Sequence, residues 1–218
     1  SYVLNRQSFT GDLKDSLGSV NFSYLFHNLS YTMSRQRAVQ HIYPHLGFNL
    51  FLSHRHPLSV YEGYQFNASN AIFFPGVHAA HSLVVTGAFH QRDTSNIIFS
   101  NFFNGSRGYN SYNLSRMWRV SGNYHFPLFY PDWGFANLLY FSRIRANGFY
   151  DFTRVYSDDK KRSRDLRSVG GEIYFDTKWW NEYALSFGIR YSYLLDKELV
   201  GPTQKNVLEI LVPIVIPK

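Results

Sequence analysis

The chain has 218 residues, no cysteine and a formal net charge of +7 at pH 7. Aromatic residues make up 19% of it, but the mean hydropathy is only −0.28, and no apolar run approaches the roughly 20 residues that a spanning helix needs. These properties exclude a helical membrane protein, and the missing cysteines exclude disulfide bonds and thiol chemistry.

Apolar and polar residues alternate along most of the chain, which is the period-2 pattern of β-strands. We therefore expect an all-β protein, and specifically a transmembrane antiparallel β-barrel, in which one strand face meets lipid and the other a wet lumen. The pattern predicts about nine strands, each long enough for the ~9–11 residues of a tilted crossing. They lie near residues 19–33, 45–56, 60–74, 80–92, 116–130, 135–155, 164–178, 182–196 and 206–217.

The parity of each strand predicts which side chains face lipid and which face the lumen. Between Trp118 and Phe126 the alternation is complete, and from Leu185 to Leu195 only Leu194 breaks it. The expected lipid-facing residues upstream are Val20, Phe22, Tyr24, Phe26, Leu83, Val85 and Phe89. The expected lumen-facing residues include Arg119, Ser121, Asn123, His125, Asp151, Glu172 and Arg190.

The connections between the predicted strands differ in length. Short turns include residues 130–133 and 179–181, and both carry aromatic residues that suit a membrane interface. Longer polar loops cover residues 157–164 and 196–205, which agrees with short periplasmic turns and long outer loops. The longest connection is residues 94–115, and a loop of this size inside a compact unit is usually functional or disordered.

Five short motifs follow one another in a fixed order along the chain. They are Tyr43 to Gly47 (aromatic-Pro-x-x-Gly), Arg107 to Tyr109 (Arg-Gly-aromatic), Asn123 to Leu128 (ending in Phe-Pro-Leu), Phe149 to Asp151 (Phe-x-Asp) and Val169 to Gly171. In this order they resemble the BamA-type outer-membrane assembly and translocation barrels, which include two-partner secretion transporters and surface-antigen-like barrels. In that family five strands follow the loop that folds into the lumen, and five are predicted to follow it here.

The resemblance implies that residues 1–218 form a single region, the C-terminal part of a 16-stranded barrel, with upstream strands and any periplasmic domain missing before Ser1. It also implies that the protein lies in the bacterial outer membrane and assists the insertion, assembly or translocation of other proteins. The partners would be outer-membrane lipid, client proteins and, as one option, other subunits of an outer-membrane complex. No cofactor is expected. The basic residues are scattered, so anionic lipid headgroups rather than nucleic acid are their expected partners.

The loop motif Arg107, Gly108 and Tyr109 is expected, by the resemblance, to fold back into the lumen. A guanidinium inside a barrel loses water, so it needs a carboxylate, and its planar fork suits the two carboxylate oxygens. The expected partners on the lumen face are Asp151 as the first candidate, Glu172 as the second, and Asn123.

The last predicted strand, residues 206–217, is expected to form one side of a weak lateral seam, again by the resemblance. An incoming strand could pair with this exposed edge before its release. Pro213 removes a donor from the ladder and suits an edge strand. We expect the seam to be marked by Val207, Glu209 and Pro213.

Two other classes of function remain open. The protein could be a diffusion channel or a substrate-specific transporter, whose lumen charges select solutes and whose long loop narrows the pore. It could also be a structural anchor for soluble domains or partner subunits. An enzyme is not expected, because Ser106 lacks the Gly-x-Ser-x-Gly frame. No metal site is expected either, because the pairs His54 with His56 and His78 with His81 have no third ligand nearby in sequence.

Overall fold

Every described strand belongs to one antiparallel sheet of the computed structural model. The described residues are 2–7, 20–35, 41–58, 63–93, 99, 103–112, 114–136, 138–158, 161–180 and 182–212. The strands are β1 (Tyr2–Gln7), β2 (Val20–Ser34), β3 (Gly47–Pro57), β4 (Gln65–Pro75), β5 (Ser82–Arg92), β6 (Arg116–Phe129), β7 (Trp133–Phe135), β8 (Leu139–Tyr156), β9 (Ser163–Trp179), β10 (Tyr183–Leu194) and β11 (Asn206–Leu211). No helix in these ranges is long and apolar enough to cross a membrane.

The sheet follows chain order from β1 to β11, and the short β7 lies off this path, paired only with β8. Within the described ranges β1 and β11 do not pair, so the sheet is open. The prediction of an all-β antiparallel chain is confirmed. The described residues contain eleven strands, two more than the roughly nine that the sequence predicts.

Two features account for the difference in strand count. The sequence does not predict β1, because Tyr2–Gln7 has three apolar residues followed by three polar ones and shows no alternation. β7 begins within the predicted turn 130–133 and is separate from β8, which corresponds to the predicted strand 135–155. Asp132 and Ala136 adopt positive φ angles of 47° and 50°, which interrupt the extended backbone on both sides of β7. The final strand ends at Leu211, and Pro213 lies outside the described residues.

The two faces of the sheet have opposite polarity. Side chains that are directly opposed on neighbouring strands point to the same face. We call the face that carries Asp151 and Glu172 the inner face, and the opposite one the outer face. Many buried inner side chains are polar, and they include Ser121, Asn147, Asp151, Thr153, Ser168, Glu172 and Ser192, whereas the buried apolar ones Met117, Val155 and Leu166 form a cluster of their own. The outer face exposes large apolar residues, among them Val120, Tyr150, Ile173, Ile189, Leu208 and Ile210.

The parity prediction holds for β5, β6, β9 and β10 and for β8 from Arg143 onward, since a register shift between Phe141 and Arg143 reverses the parity before it; the prediction fails for β2. Phe26 is directly opposite Arg55, and Arg55 is opposite Gln65, which is buried on the inner face. Tyr24 and Phe26 therefore face inward, and the outer residues of β2 are Leu29, Tyr31 and Met33. The sequence is misleading here because both parities of β2 contain apolar residues. The side chains of Val20 and Phe22 lie outside the described residues.

The sheet has a long-loop end and a short-turn end. Residues 93–115, 157–162 and 195–205 connect strands at the long-loop end, and residues 76–81 and 180–182 do so at the short-turn end. The β2–β3 connection, also at the short-turn end, is longer. Its Tyr43 ring packs 5.7 Å from the Phe73 ring and 4.8 Å from the His125 ring, both on the inner face. The described part of this connection, residues 41–46, therefore lies against the inner face at Tyr43.

Candidate functional site

The floor of the candidate site is a glycine covered by an aromatic ring. Gly170 of β9 lies directly opposite Phe149 of β8 on the inner face. A Cβ atom at Gly170 would overlap the backbone oxygen of Tyr191 and lie 2.7 Å from the Cζ atom of Phe149, so a larger residue would clash with the β10 backbone and with the ring. The ring in turn supports Arg107, whose Cζ atom lies 3.6 Å from the ring centroid. Gly170, Phe149 and Arg107 thus form a stack rising from the sheet into the interior.

Arg107 is held by a bidentate ion pair. Its Nε donates to Asp151 Oδ2 at 2.8 Å, and its Nη2 donates to Asp151 Oδ1 at 2.7 Å. The backbone N–H of Arg107 donates to the same carboxylate at 2.9 Å, so both main chain and side chain of the loop are fixed. Asp151 also accepts a short hydrogen bond from Ser121 and is fully buried. An ionised carboxylate at this position is stable only with such partners.

Glu172 supplies the second charge. It accepts a hydrogen bond from Arg107 Nη1 at 3.1 Å and another from Arg190 Nε at 2.6 Å. Its other oxygen accepts from Asn147 Nδ2 at 2.7 Å and from the Tyr174 hydroxyl at 2.9 Å. Two guanidinium groups therefore face two buried carboxylates. We call this set, Arg107, Asp151, Glu172 and Arg190, the charge hub.

Asn123 and Ser121 of β6 complete the coordination of the guanidinium. Arg107 Nη2 donates to Asn123 Oδ1 at 2.7 Å and to Ser121 Oγ at 2.9 Å. Asn123 Oδ1 also accepts from Asn147 Nδ2 at 3.2 Å. With these partners, three strands, β6, β8 and β9, bind one loop arginine.

The residues beside Arg107 make further contacts to β8 and β9 and bring the loop against one additional strand, β10. Ser106 Oγ donates to the backbone oxygen of Leu166 at 2.7 Å and lies 2.8 Å from Thr153 Oγ1. Gly108 has a positive φ of 84°, and a Cβ atom there would lie 2.9 Å from side-chain atoms of both Ser192 and Leu194 on β10. A side chain at position 108 would therefore be strained and would push the loop away from β10.

A second set of contacts, made by Tyr109 and Tyr112, attaches the loop to the β10–β11 connection; we call this set the clasp. The Tyr109 hydroxyl lies 2.8 Å from the backbone oxygen of Arg167 and accepts a hydrogen bond from the backbone N–H of Asp196 at 3.0 Å. Tyr112 makes a short hydrogen bond to Glu198. Below this clasp lies an apolar cluster that fills the interior at the long-loop end, formed by Met117, Val155, Leu166, Phe103, Tyr109, Tyr112, Leu114 and Leu199.

The chain matches no protein-family model, no curated protein and no solved structure. The structure brings together Arg107, Asp151, Glu172 and Asn123. These are the residues that the sequence predicts as the loop arginine and its lumen partners. Val207 and Glu209 lie on the inner side of β11. Glu209 contacts the charge hub, because Arg190 Nη1 donates to it at 3.3 Å.

Three contributors to the site, Phe149, Ser121 and Arg190, are not predicted from the sequence to contact Arg107 or its partners. Phe149 is apolar at a position whose parity predicts a polar residue, and this mismatch is the signal that could have identified it. Ser121 and Arg190 have the expected inner parity, but nothing in their spacing separates them from other lumen-facing polar residues.

The histidine pairs do not form a metal site in the described part of the chain. His54 and His56 lie on the outer face, and their rings are stacked with centroids 6.3 Å apart. The rings of His78 and His81 are 5.5 Å apart at the short-turn end, where the Tyr124 hydroxyl lies 2.8 Å from His81 Nδ1. Among these described residues no group of three or more histidine, aspartate or glutamate side chains could hold a metal ion.

The β10–β11 connection is also held by an ion pair, in which Arg167 Nη2 lies 2.9 Å from Asp196 Oδ1. This attachment is expected to loosen in acid, because Asp196 must be ionised to bind Arg167. The hydrogen bonds and charge of Arg167 lower the pKa of Asp196. This contribution to stability is fully present above the unfolded pKa of about 3.9 and is lost as the pH falls through the lower, folded pKa. Since the Arg167–Asp196 pair is partly exposed, we expect it to contribute less than about 1 kcal/mol to the free energy of unfolding.

Hydrogen exchange of residues 195–205, corrected for intrinsic rates, measures this effect. Protection should be equal at pH 7 and pH 5 and should fall only near pH 3. Asp196→Asn should already show the reduced protection at pH 7. Full protection of the variant at pH 7 would contradict the role given to this carboxylate.

Proposed function

We propose that the chain is part of an outer-membrane β-barrel that assists the insertion, assembly or translocation of proteins at the bacterial outer membrane. The observation that carries the proposal is the long loop fixed on the inner face by Arg107, Asp151 and Glu172. This arrangement is the one expected from the motif order that resembles BamA-type barrels. In the proposal, the described sheet is the C-terminal part of a 16-stranded barrel.

The polarity of the two faces supports placement in a membrane. A protein surrounded by water hides apolar side chains and exposes polar ones, whereas this sheet buries carboxylates and exposes aliphatic residues. Lipid would cover the exposed apolar residues, and the charge hub would face the lumen. Aromatic residues cluster at the short-turn end, as at a membrane interface. They are exposed at Tyr130, Trp133, Phe135, Trp180 and Tyr183.

The edge of β11 supports a role in strand exchange. Within the described ranges β11 pairs with β10 alone. Its other side presents backbone donors and acceptors to which an incoming strand could add. The outer side chains of β11 are apolar, and Leu208 and Ile210 are 72% and 78% exposed. If a client strand paired at this edge, its outer side chains would face lipid, as those of Leu208 and Ile210 do in the proposal.

The charge hub links the loop to this edge. Arg190 binds Glu172, which also binds Arg107, and it reaches Glu209 on β11. The series Arg107, Glu172, Arg190 and Glu209 therefore runs from the loop to the last described strand. Displacement of the loop would remove one cation from Glu172 and change the balance of charge beside β11.

A second candidate function, passage of solutes, is favoured by one observation. A polar cavity of about 470 Å³ lies between the loop and the sheet, lined by Arg107, Arg119, Arg190 and Glu209 among others. Charges around such a space could select ions or small solutes. The apolar cluster at the long-loop end opposes this function, because it fills the interior beyond the cavity.

Reconstitution with a defined client tests the proposed function. The protein in phospholipid vesicles should accelerate folding of a purified, urea-unfolded outer-membrane barrel protein, followed by its heat-modifiable gel mobility. A photo-cross-linking residue at Leu208 should capture this client. The same residue at Ile173, which is also exposed on the outer face but lies in a strand paired on both sides, should not.

Absence of both acceleration and cross-linking in vesicles that contain the folded protein would overturn the proposal. Conductance across planar bilayers examines the solute-passage alternative. We expect little conductance from the wild-type protein, and selective conductance without any effect on client folding would favour the channel.

A further inference from the structure

Three arginines lie on the outer face of neighbouring strands at the long-loop end. Arg116 of β6 is directly opposite Tyr156, Arg154 of β8 is opposite Trp118, and Arg167 of β9 is opposite Phe152. We call Arg116, Arg154 and Arg167 the arginine belt. Toward the short-turn end, the outer residues next to the belt are apolar or aromatic and exposed, including Val120, Tyr150, Val169 and Ile173. The belt therefore marks the boundary of an apolar band.

Aromatic rings lie beside two guanidinium groups of the belt. The Cζ atom of Arg116 lies 5.1 Å from the Tyr156 ring centroid and 5.9 Å from that of Phe89. The Cζ atom of Arg154 lies 5.6 Å from the Phe152 centroid and 5.9 Å from that of Trp118. Contacts of this kind occupy the face of a guanidinium and leave its N–H groups, which lie at the edge, for acceptors.

A cleft of about 390 Å³ opens beside the belt. Four basic side chains line it, against two carboxylates: Arg154, Arg164, Arg167 and Lys197, with Asp165 and Asp196. Arg154 pairs with Asp165, and Arg167 pairs with Asp196. Arg164 and Lys197 make no ion pair with the residues that the structure describes, and neither does Arg116. The surface around the cleft therefore has an excess of positive charge.

From this arrangement we infer that the arginine belt and its cleft bind the phosphate groups of lipid headgroups. The inference rests on the proposed placement of the sheet in a membrane. At the boundary of the apolar band, the groups nearest to the belt are headgroups, and a phosphate oxygen is the acceptor that a planar guanidinium fork fits best. Each basic residue near an anionic membrane surface raises the affinity of the protein for that surface about fivefold, which corresponds to about 1 kcal/mol.

Lipid selectivity beside Trp118 tests the inference. A variant with Trp133, Trp179 and Trp180 replaced by Phe keeps only Trp118, which lies next to Arg154. It is placed in vesicles of dibrominated phosphatidylcholine mixed with phosphatidylglycerol, a phosphate-bearing anionic lipid. Bromine quenches tryptophan on contact, so preferential binding of phosphatidylglycerol beside Trp118 should reduce the quenching below that of random mixing.

Two double variants of equal charge change complete the experiment. Arg116→Gln with Lys197→Gln should lower the preference for phosphatidylglycerol by about 25-fold, the product of two fivefold effects. Arg35→Gln with Lys178→Gln, which changes two exposed basic residues at the short-turn end, should leave it unchanged. None of these four side chains has an ion pair within the described ranges, so all variants are expected to fold.

The outcomes separate the inference from the proposed function. Strong quenching of Trp118 without preference for phosphatidylglycerol would place the outer face in lipid and overturn the inference alone. No quenching of Trp118 by brominated lipid would overturn the membrane placement itself. If excess inorganic phosphate removed the preference as fully as the Arg116 and Lys197 variant, the site would bind free phosphate instead of lipid, and the inference would also fail.

Discussion

Arg107→Ala is expected to destabilise the folded protein by about 3–5 kcal/mol, because it leaves a buried carboxylate without its cation. Asp151 is fully buried and has Arg107 as its ion-pair partner. Glu172 is less affected, since Arg190 remains beside it. Denaturant unfolding followed by heat-modifiable gel mobility measures the loss. Arg107→Lys should give an intermediate result, because lysine restores the charge but cannot form the bidentate pair.

The matched control for this variant is Arg154→Ala. Arg154 also pairs with an aspartate through two nitrogens, but its side chain is 37% exposed and that of Asp165 is 35% exposed. We expect this exposed pair to contribute no more than about 1 kcal/mol. Equal losses for Arg107→Ala and Arg154→Ala would show that burial of the hub does not determine its contribution.

Arg145 is a less suitable control than the sequence suggests. From the sequence, Arg107→Ala is expected to impair folding or activity and Arg145→Ala to have little effect. In the structure, Arg145 contacts Asp176 at 3.2 Å, and its Cζ atom lies 4.1 Å from the Tyr174 ring centroid. Its side chain is only 12% exposed. Its removal would therefore leave Asp176 with Arg143 as its remaining cation and would uncover an aromatic ring, so we expect a measurable cost.

The sequence predicted the inner carboxylates because strand parity is a strict geometric rule. Asp151 shares its parity with Asn147 and Thr153, and Glu172 shares its parity with Gly170 and Tyr174, so a single face assignment accounts for both carboxylates, with Phe149 as the exception. The same rule fails where a strand is apolar on both sides. Tyr24 and Phe26 were assigned to the lipid face, but register with Arg55 and Gln65 turns them inward.

Long-range pairing of the loop could not be derived from periodicity. The stack of Gly170, Phe149 and Arg107 joins residues far apart in the chain, and no local pattern specifies that Phe149 covers Gly170. The resemblance in motif order pointed to these segments, but it did not indicate which atoms meet. Leu194 is an apolar residue at an inner position of β10. The structure explains it, because the side chain of Leu194 packs beside Gly108 of the loop.

Gly108→Val is expected to release the loop from the inner face. Valine at a φ of 84° costs about 1–2 kcal/mol in backbone strain, and overlap with Ser192 and Leu194 adds about 1–3 kcal/mol. The chain has no cysteine, so a disulfide between Ser106→Cys and Thr153→Cys can report loop docking, since the two hydroxyl oxygens lie 2.8 Å apart. We expect this disulfide to form readily in the wild-type background and poorly with Gly108→Val.

Gly105→Val provides the control within the same loop. No described atom lies within 4 Å of a Cβ built at Gly105, and its φ is not positive, so valine should be accommodated there with the disulfide intact. Gly108→Ala should form the disulfide at an intermediate rate, because alanine has the same strained φ but overlaps Ser192 and Leu194 less than valine does. If Gly108→Val cross-linked as fast as Gly105→Val, the close approach of Gly108 to β10 would not be what seats the loop. Arg107 would then have to hold the loop against the sheet without help from Gly108.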